Sequence, residues 1–413
     1  MARRQSINVA LDIGTHKTSV LVAATGEDNP QVPQIIGLGT APSVGLKRGV
    51  VVNIDSTVQS IQHAVREAEV MADCEIHSVV VSVSGNHVRG FNSHGMVPIR
   101  TREVTPNDVE LVLDAARAVA LPMDRDVLHV LPQEYIVDDQ DGIREPQGMA
   151  GVRLESKVHV LTGSTAAVQN VIKCCNRAGL AVSQIVLAPL ASAEAVLTHE
   201  ERDLGVGVVD IGGGTTDLIV YHGGSVRHTA VLGLGGNQLT NDIATGLRTP
   251  PAEAEKVKQR YGCAMASSVG ADERVEVPSV GGRGPRVLAR QILAEIIEPR
   301  VEEILALVSR EVVRAGVESM IASGVVLTGG TASLEGIVPL AERVFQTPVR
   351  IGGSQQAGGL GDIVGGPAYA TGVGLLLLAG RAEAAGAGIN GNGSAGVLSR
   401  VKHRMTDWLR DFF

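Results

Sequence analysis

Aromatic side chains are scarce in this chain of 413 residues, which holds one Trp, four Tyr and four Phe. That scarcity excludes aromatic base-stacking modules, which need several exposed rings on one platform. Basic charge is also short. A formal net charge of -8 and a pI near 5.8 argue against nucleic-acid binding through bulk charge. The four cysteines, Cys74, Cys174, Cys175 and Cys263, show no CxxC or Cys/His ligand spacing. Reduced, buried, small apolar residues are expected there. The longest apolar stretch, Tyr369 to Ala379, falls short of the roughly 18 residues that a spanning helix needs. Residues 1 to 14 do not read as a signal peptide, because Asn8 and Asp12 interrupt the apolar run after Arg3 and Arg4. Neither a Walker A sequence nor a GxGxxG turn is present, so the P-loop and Rossmann readings lose.

What is present is glycine and aliphatic bulk: 50 Gly, and 44% apolar against 19% charged residues. Such a chain buries sizeable cores, and its length suggests two or three domains at roughly 150 residues each. Ile7 to Asp12, Ser19 to Ala24 and Val79 to Ser84 read as strands. Ser56 to Asp73 reads as a helix with Ser56 as N-cap, and Pro106 to Leu121 as a second one capped by Thr105. This alternation implies an α/β architecture.

One pattern occurs twice. Val9-Ala-Leu-Asp-Ile-Gly-Thr and Val208-Val-Asp-Ile-Gly-Gly-Gly-Thr are each strand, Asp-Ile-Gly, small polar turn and strand, with Asp12 and Asp210 198 positions apart. Two copies in one context suggest duplicated halves facing each other. A turn of Gly, Thr and Ser exposes backbone N–H groups with no Cβ in the way, which suits an anion. An Asp at the end of the preceding strand would repel phosphate unless a divalent cation lies between, so phosphate plus Mg²⁺ held through water is the expected ligand, with Asp12 and Asp210 as its carboxylates. A third strand runs into glycines at Val325-Val-Leu-Thr-Gly-Gly-Thr, with Pro339 suited to the first turn of the next helix.

These three elements resemble the actin, Hsp70 and sugar-kinase ATPase superfamily, whose two phosphate loops and adenosine loop match residues 12–19, 210–217 and 327–331. The resemblance implies an actin-like ATPase fold with ribonuclease H-like duplicated halves, and ATP and Mg as ligands. It implies phosphate contacts at Asp12, Gly14, Thr15, Lys17, Asp210, Gly212, Gly213, Gly214, Thr215, Thr216 and Asp217. Adenosine contacts are implied at Gly235, Gly236, Asn237, Glu255, Lys258, Gly329, Gly330 and Thr331. An exposed turn lysine accounts equally for Lys17, and an exposed helical charge pattern competes for Glu255 and Lys258. Leu187 to Leu197 and the segment from Gly366 to Gly374 look like the two helices connecting the halves. Relatives carry a Glu or Gln before the first of these that orients the attacking water; Ala188 stands there, and alanine polarises no water. Nucleotide binding with weak or no intrinsic hydrolysis is therefore expected.

Within the superfamily, Ser84-Gly-Asn-His-Val, Val127-Leu-His-Val-Leu-Pro-Gln-Glu-Tyr, Gly151-Val-Arg-Leu, Thr249-Pro-Pro-Ala-Glu-Ala-Glu, Val275-Glu-Val-Pro-Ser-Val-Gly-Gly-Arg and Ile297-Glu-Pro-Arg resemble the FtsA family of bacterial cell-division proteins across nearly the whole chain. That resemblance implies a first half from 1–84, 162–203 and 366–380, with a small α+β subdomain at 85–161 for subunit and division-protein contacts. The second half is 204–365, its outer subdomain 236–315. The implied partners are further copies of the chain in a filament, later division proteins, and the C-terminal peptide of the tubulin-like FtsZ, with Arg283, Arg286 and Arg300 as candidate contacts. Arginines that merely solubilise a surface account equally for any one of those three.

Residues 381–397 are rich in Gly, Ala, Asn and Ser and read as a flexible linker. Beyond it, Val401, Met405, Trp408, Leu409, Phe412 and Phe413 fall on one helical face, and 398–413 carries a net +2 charge. A terminal helix docking on the protein's own core competes with the reading favoured here, an amphipathic helix at an anionic membrane surface. The leading expectation is an adaptor tethering FtsZ filaments to the inner face of the cell membrane at the division site. A small-molecule kinase and a pilus-platform protein of the same superfamily are the rivals, and neither calls for this terminal helix.

Overall fold

The computed structural model describes residues 7–25, 32–281, 284–354 and 357–384. Two sheets of matching topology form its frame. In the first, the strands run Ala181–Leu187, Ser78–Val83, Ile7–Ile13, Lys17–Thr25 and Pro33–Pro42, with the two-residue strand Gly358–Gly359 at the far edge. In the second they run Val349–Ile351, Val325–Thr328, Val206–Ile211, Thr216–His222 and Ser225–Leu232. Each half thus opens with a three-strand antiparallel meander and adds two parallel strands beside its first. The repeat extends to register. Asp12 lies opposite Ser19 in one hairpin, and Asp210 opposite Asp217 in the other. Both turns close by the same bond, Gly14 N–H to the Lys17 carbonyl at 3.1 Å and Gly212 N–H to the Thr215 carbonyl at 2.9 Å. The duplication expected from the Asp-Ile-Gly echo is real at the level of strand order.

The connecting helices Ala188–Val196 and Ala370–Ala384 cross between the sheets and are buried almost all round, which their near-continuous Ala, Val and Leu content dictates. Gly374 makes the crossing possible, since a Cβ there would stand 1.8 Å from the Ala191 carbonyl oxygen. Separate apolar cores fill each half. An antiparallel sheet of Arg89–Pro98, Arg153–Ser164, Arg125–Val137 and Gln140–Ile143, backed by the helix Pro106–Arg117, is inserted in the first half. The second half carries helices Gly236–Leu247, Pro251–Tyr261 and Arg290–Ala315 with the hairpin of Arg274–Val277 and Arg286–Ala289.

Several local expectations shift. The helix expected from Ser56 begins at Ile54, because the Asn53 side chain accepts from the Ser56 N–H at 3.0 Å and so caps the helix one turn earlier. The helix expected to reach Leu121 stops at Arg117, because Ala118 leaves helical backbone at ψ 53° and its N–H closes the end on the Asp114 and Ala115 carbonyls; its Thr105 cap holds, in a capping box with Asp108. Residues 381–384, expected in the linker, form the last turn of the second connecting helix. The rest of that linker and all of 398–413, with Val401, Met405, Trp408, Leu409, Phe412 and Phe413, lie outside the described residues. Among the described residues no helix is long and apolar enough to cross a membrane. Cys174, Cys175 and Cys263 are free and buried, whereas Cys74 is only half-buried.

Candidate nucleotide cleft

The two hairpin turns face each other across a cleft of about 480 Å³, which the strand-to-glycine element of 325–331 closes from the second half. Of the expected phosphate and adenosine residues, all line this cleft except Thr216 and Gly235. Thr216 is the first residue of a buried strand, and its hydroxyl turns away to donate to the Leu234 carbonyl at 2.9 Å. Gly235 packs behind the second turn, where a Cβ would stand 2.5 Å from the Gly212 carbonyl oxygen. Contact between the turns is equally close. A Cβ on Gly214 would lie 2.6 Å from the Thr15 hydroxyl oxygen, so only glycine lets the halves approach this far.

Three carboxylates form the floor. Ser82 donates to Asp12 at 2.7 Å, Ser192 to Asp210 at 2.5 Å and Ser84 to Asp217 at 2.7 Å. Thr371, at the start of the second connecting helix, donates to Asp210 at 3.3 Å. Both connecting helices therefore touch one carboxylate. Burial pushes the Asp12 carboxyl up against the Ser82 bond. Burial with the Asp12 charge raises Asp210 to about 6, and burial with the Asp210 charge raises Asp217 to about 7. Negative charge is thus held at a cost that a cation would relieve. Among the described residues no three carboxylate, histidine or cysteine side chains cage a metal ion directly. This donor set fits a cation held by water and phosphate oxygens, with Asp12 and Asp210 accepting from the water.

Lys17 lines the cleft, but its ammonium sits 3.3 Å from the centre of the Tyr369 ring, and burial lowers it to about 8 despite the nearby Asp12. On the opposite wall, Lys258 donates to Glu255 at 2.7 Å, to Thr240 at 2.9 Å and to the Gly236 carbonyl at 3.1 Å. Burial raises the Glu255 carboxyl, but the Lys258 ammonium and the bonds from Lys258 and Thr240 outweigh it and hold it below the usual range. These residues form a buried network rather than an exposed charge pattern. Ala188 opens the first connecting helix and lines the cleft, so no side chain at that place reaches toward a bound water.

Ser82, Ser84, Thr371 and His16 also line the cleft and Ser192 meets it through Asp210, and none of the five is among the expected contacts. The two serines are legible in principle, because Ser82 lies at the end of a parallel strand beside the one that carries Asp12 and Ser84 follows directly on it. The two described candidate arginines are engaged by groups of the second half itself. Arg300 pairs with Asp242 at 2.6 Å and with Glu303, and Arg286 bonds Ser279 at 3.1 Å and the Leu247 carbonyl. Arg283 lies outside the described residues.

Comparison with known proteins agrees with this architecture. The family model described as "Cell division protein FtsA" matches residues 207–374, and that described as "SHS2 domain inserted in FTSA" matches 85–162. Among solved structures, the chain is similar to the PilM-PilN type IV pilus biogenesis complex at 20% identity with a TM-score of 0.65, covering 90% of this chain and 98% of that one. It is similar to MreB 5 of Spiroplasma citri bound to AMPPNP at 15% identity with a TM-score of 0.53, covering 90% and 95%. These likenesses establish the actin-like fold. In sequence it is 53% identical to the cell division protein FtsA of Pseudomonas aeruginosa, over 95% of this chain and 96% of that protein. It is 47% identical to that of Escherichia coli strain K12, over 100% and 99%. The chain belongs to the FtsA family of cell-division proteins, with the family's inserted subdomain in an actin-like frame.

Proposed function

We propose that this chain binds Mg-ATP between its two halves, and that the closed form assembles into filaments on the inner face of the cytoplasmic membrane. The helix of 398–413 then tethers FtsZ filaments there and helps bring later division proteins to the site. The observation that carries the nucleotide part is the convergence of three glycine elements and three buried, hydroxyl-bonded carboxylates on one cleft. Support for the ligand comes from the MreB neighbour bound to AMPPNP, and support for assembly from the likeness to the MamK double helical filament.

Each part of the cleft has a task in this reading. The N–H groups of Gly14 and Gly212 are spent on closing their own turns, so the remaining turn amides face the phosphates. Asp12 and Asp210 hold water around Mg²⁺, which neutralises phosphate charge. Glu255 and Lys258 flank the ribose, and Gly329, Gly330 and Thr331 wall the adenosine end. Ala188 supplies no base, so nucleotide serves as a binding signal with slow turnover. The FtsZ peptide meets the outer part of the second half, where Arg286 and Arg300 take part only by releasing their present partners. Calorimetric titration with Mg-ATP tests the ligand: saturable binding that Asp210→Asn weakens is expected, and no binding overturns the reading.

A further inference from the structure

His16 stands at the tip of the first turn, and nothing above gives it a task. Its imidazole is about half in solvent, at 47% exposure, and it lines the cleft. Its backbone is pinned by the opposite half, for a Cβ on Gly213 would lie 2.7 Å from the His16 Cβ. From that position the imidazole Nε2 reaches to 3.8 Å from the Glu255 Oε1. Glu255 sits on the helix Pro251–Tyr261 of the second half, so this pair joins the two halves. The other Glu255 oxygen is occupied by Lys258 and Thr240, which fixes Oε1 toward the cleft with Gln259 as its second donor at 2.9 Å.

The phosphate turns lie on one side of His16 and Glu255 on the other. A nucleotide with its phosphates at the turns and its ribose at Glu255 passes beside this pair. Both neighbours of the imidazole are then anionic acceptors within reach of its ring N–H.

We propose that His16 is a cross-cleft latch: its imidazole stands between Glu255 of the second half and the phosphates of the bound nucleotide and holds to both, and it must let go before the nucleotide leaves. This deepens the Mg-ATP reading and rests on it. The latch acts on release, because its two residues belong to opposite halves and the nucleotide leaves between them. Lys17, one residue on, does not serve this purpose, since its ammonium is turned onto Tyr369.

The test is stopped-flow release of a fluorescent ATP analogue with Mg²⁺, chased by excess ATP, from the full chain and from His16→Ala, His16→Phe and His16→Lys. His16 is solvent-facing at the turn, so these changes leave the core intact. Alanine and phenylalanine are expected to release the analogue about fivefold faster, the scale of one exposed ion pair. Lysine, which restores an N–H donor at this place, is expected to stay within about twofold of the parent on the same scale. Release from His16→Ala at the parent rate overturns the latch, and so does parent-like release from His16→Phe, which would mark a packing role. Failure of the parent chain to bind the analogue at all would instead overturn the nucleotide reading, a result distinct from either.

Discussion

The Ser84 hydroxyl donates to the Asp217 carboxylate at 2.7 Å, and the two residues belong to opposite halves of the molecule. Ser84 follows the strand Ser78–Val83 of the first sheet, and Asp217 lies in the strand Thr216–His222 of the second. This bond ties the halves at the phosphate end of the cleft, in a buried setting where a hydrogen bond to a carboxyl group contributes roughly 1.5 to 3 kcal/mol. Ser84→Ala should therefore weaken Mg-ATP binding about tenfold or more, measured by calorimetry. Unchanged affinity would show that the closed arrangement does not depend on it.

Slow turnover is expected from Ala188. With no carboxylate or amide at the start of the first connecting helix, steady-state phosphate release by the purified chain should be slow, well below about 1 per second, against a median near 10 per second for enzymes. Rapid turnover by the chain alone would mean that another cleft group, Asp217 foremost, activates water.

Acid should weaken the fold through His129. This side chain of the inserted subdomain is fully buried and accepts from the Leu187 N–H at 3.1 Å, just before the first connecting helix. Burial pushes its pKa down to about 3. Between an unfolded value near 6.5 and that folded value, the unfolded chain binds a proton that the folded chain does not. Stability therefore falls as pH falls, by about 1.4 kcal/mol per pH unit at most for this one residue. The raised Asp210 and Asp217 act in the opposite direction, since the folded chain binds protons there first. The comparison with His129→Gln cancels them. Between pH 6 and pH 5 in denaturant melts, the variant should lose about 1 kcal/mol less than the parent. Equal losses would place the acid sensitivity elsewhere.

Trp408 and Phe412 lie in the proposed membrane helix. Replacing both with Glu should release the chain from anionic liposomes in a sedimentation assay, because burying each large apolar side chain gives roughly 1.5 to 3 kcal/mol and a charge reverses it. Unchanged sedimentation would count against the anchor.

The hairpins were legible in the sequence because a strand, an Asp-Ile-Gly and a small polar turn leave a strong local signature, and it occurs twice. That Asp12 and Asp210 meet in one cleft follows from the same signature. Thr216 was misplaced by a local cause: its motif neighbours Thr215 and Asp217 face the cleft, but strand alternation turns Thr216 to the Leu234 carbonyl. Ser192 and Thr371 were not legible, since they meet Asp210 only when two helices distant in sequence cross at Gly374. Nor was the engagement of Arg300, whose partner Asp242 is 58 residues away. Long-range pairings of this kind follow from the packing of elements, and no local pattern encodes them.

In the proposed function, nucleotide and the terminal helix act together to hold FtsZ at a membrane. Imaging fluorescent FtsZ filaments on a supported anionic bilayer with this chain tests it most directly, with and without Mg-ATP and with and without residues 398–413. FtsZ is expected on the bilayer only when both nucleotide and residues 398–413 are present. FtsZ recruited equally by the chain truncated before residue 398 would contradict it.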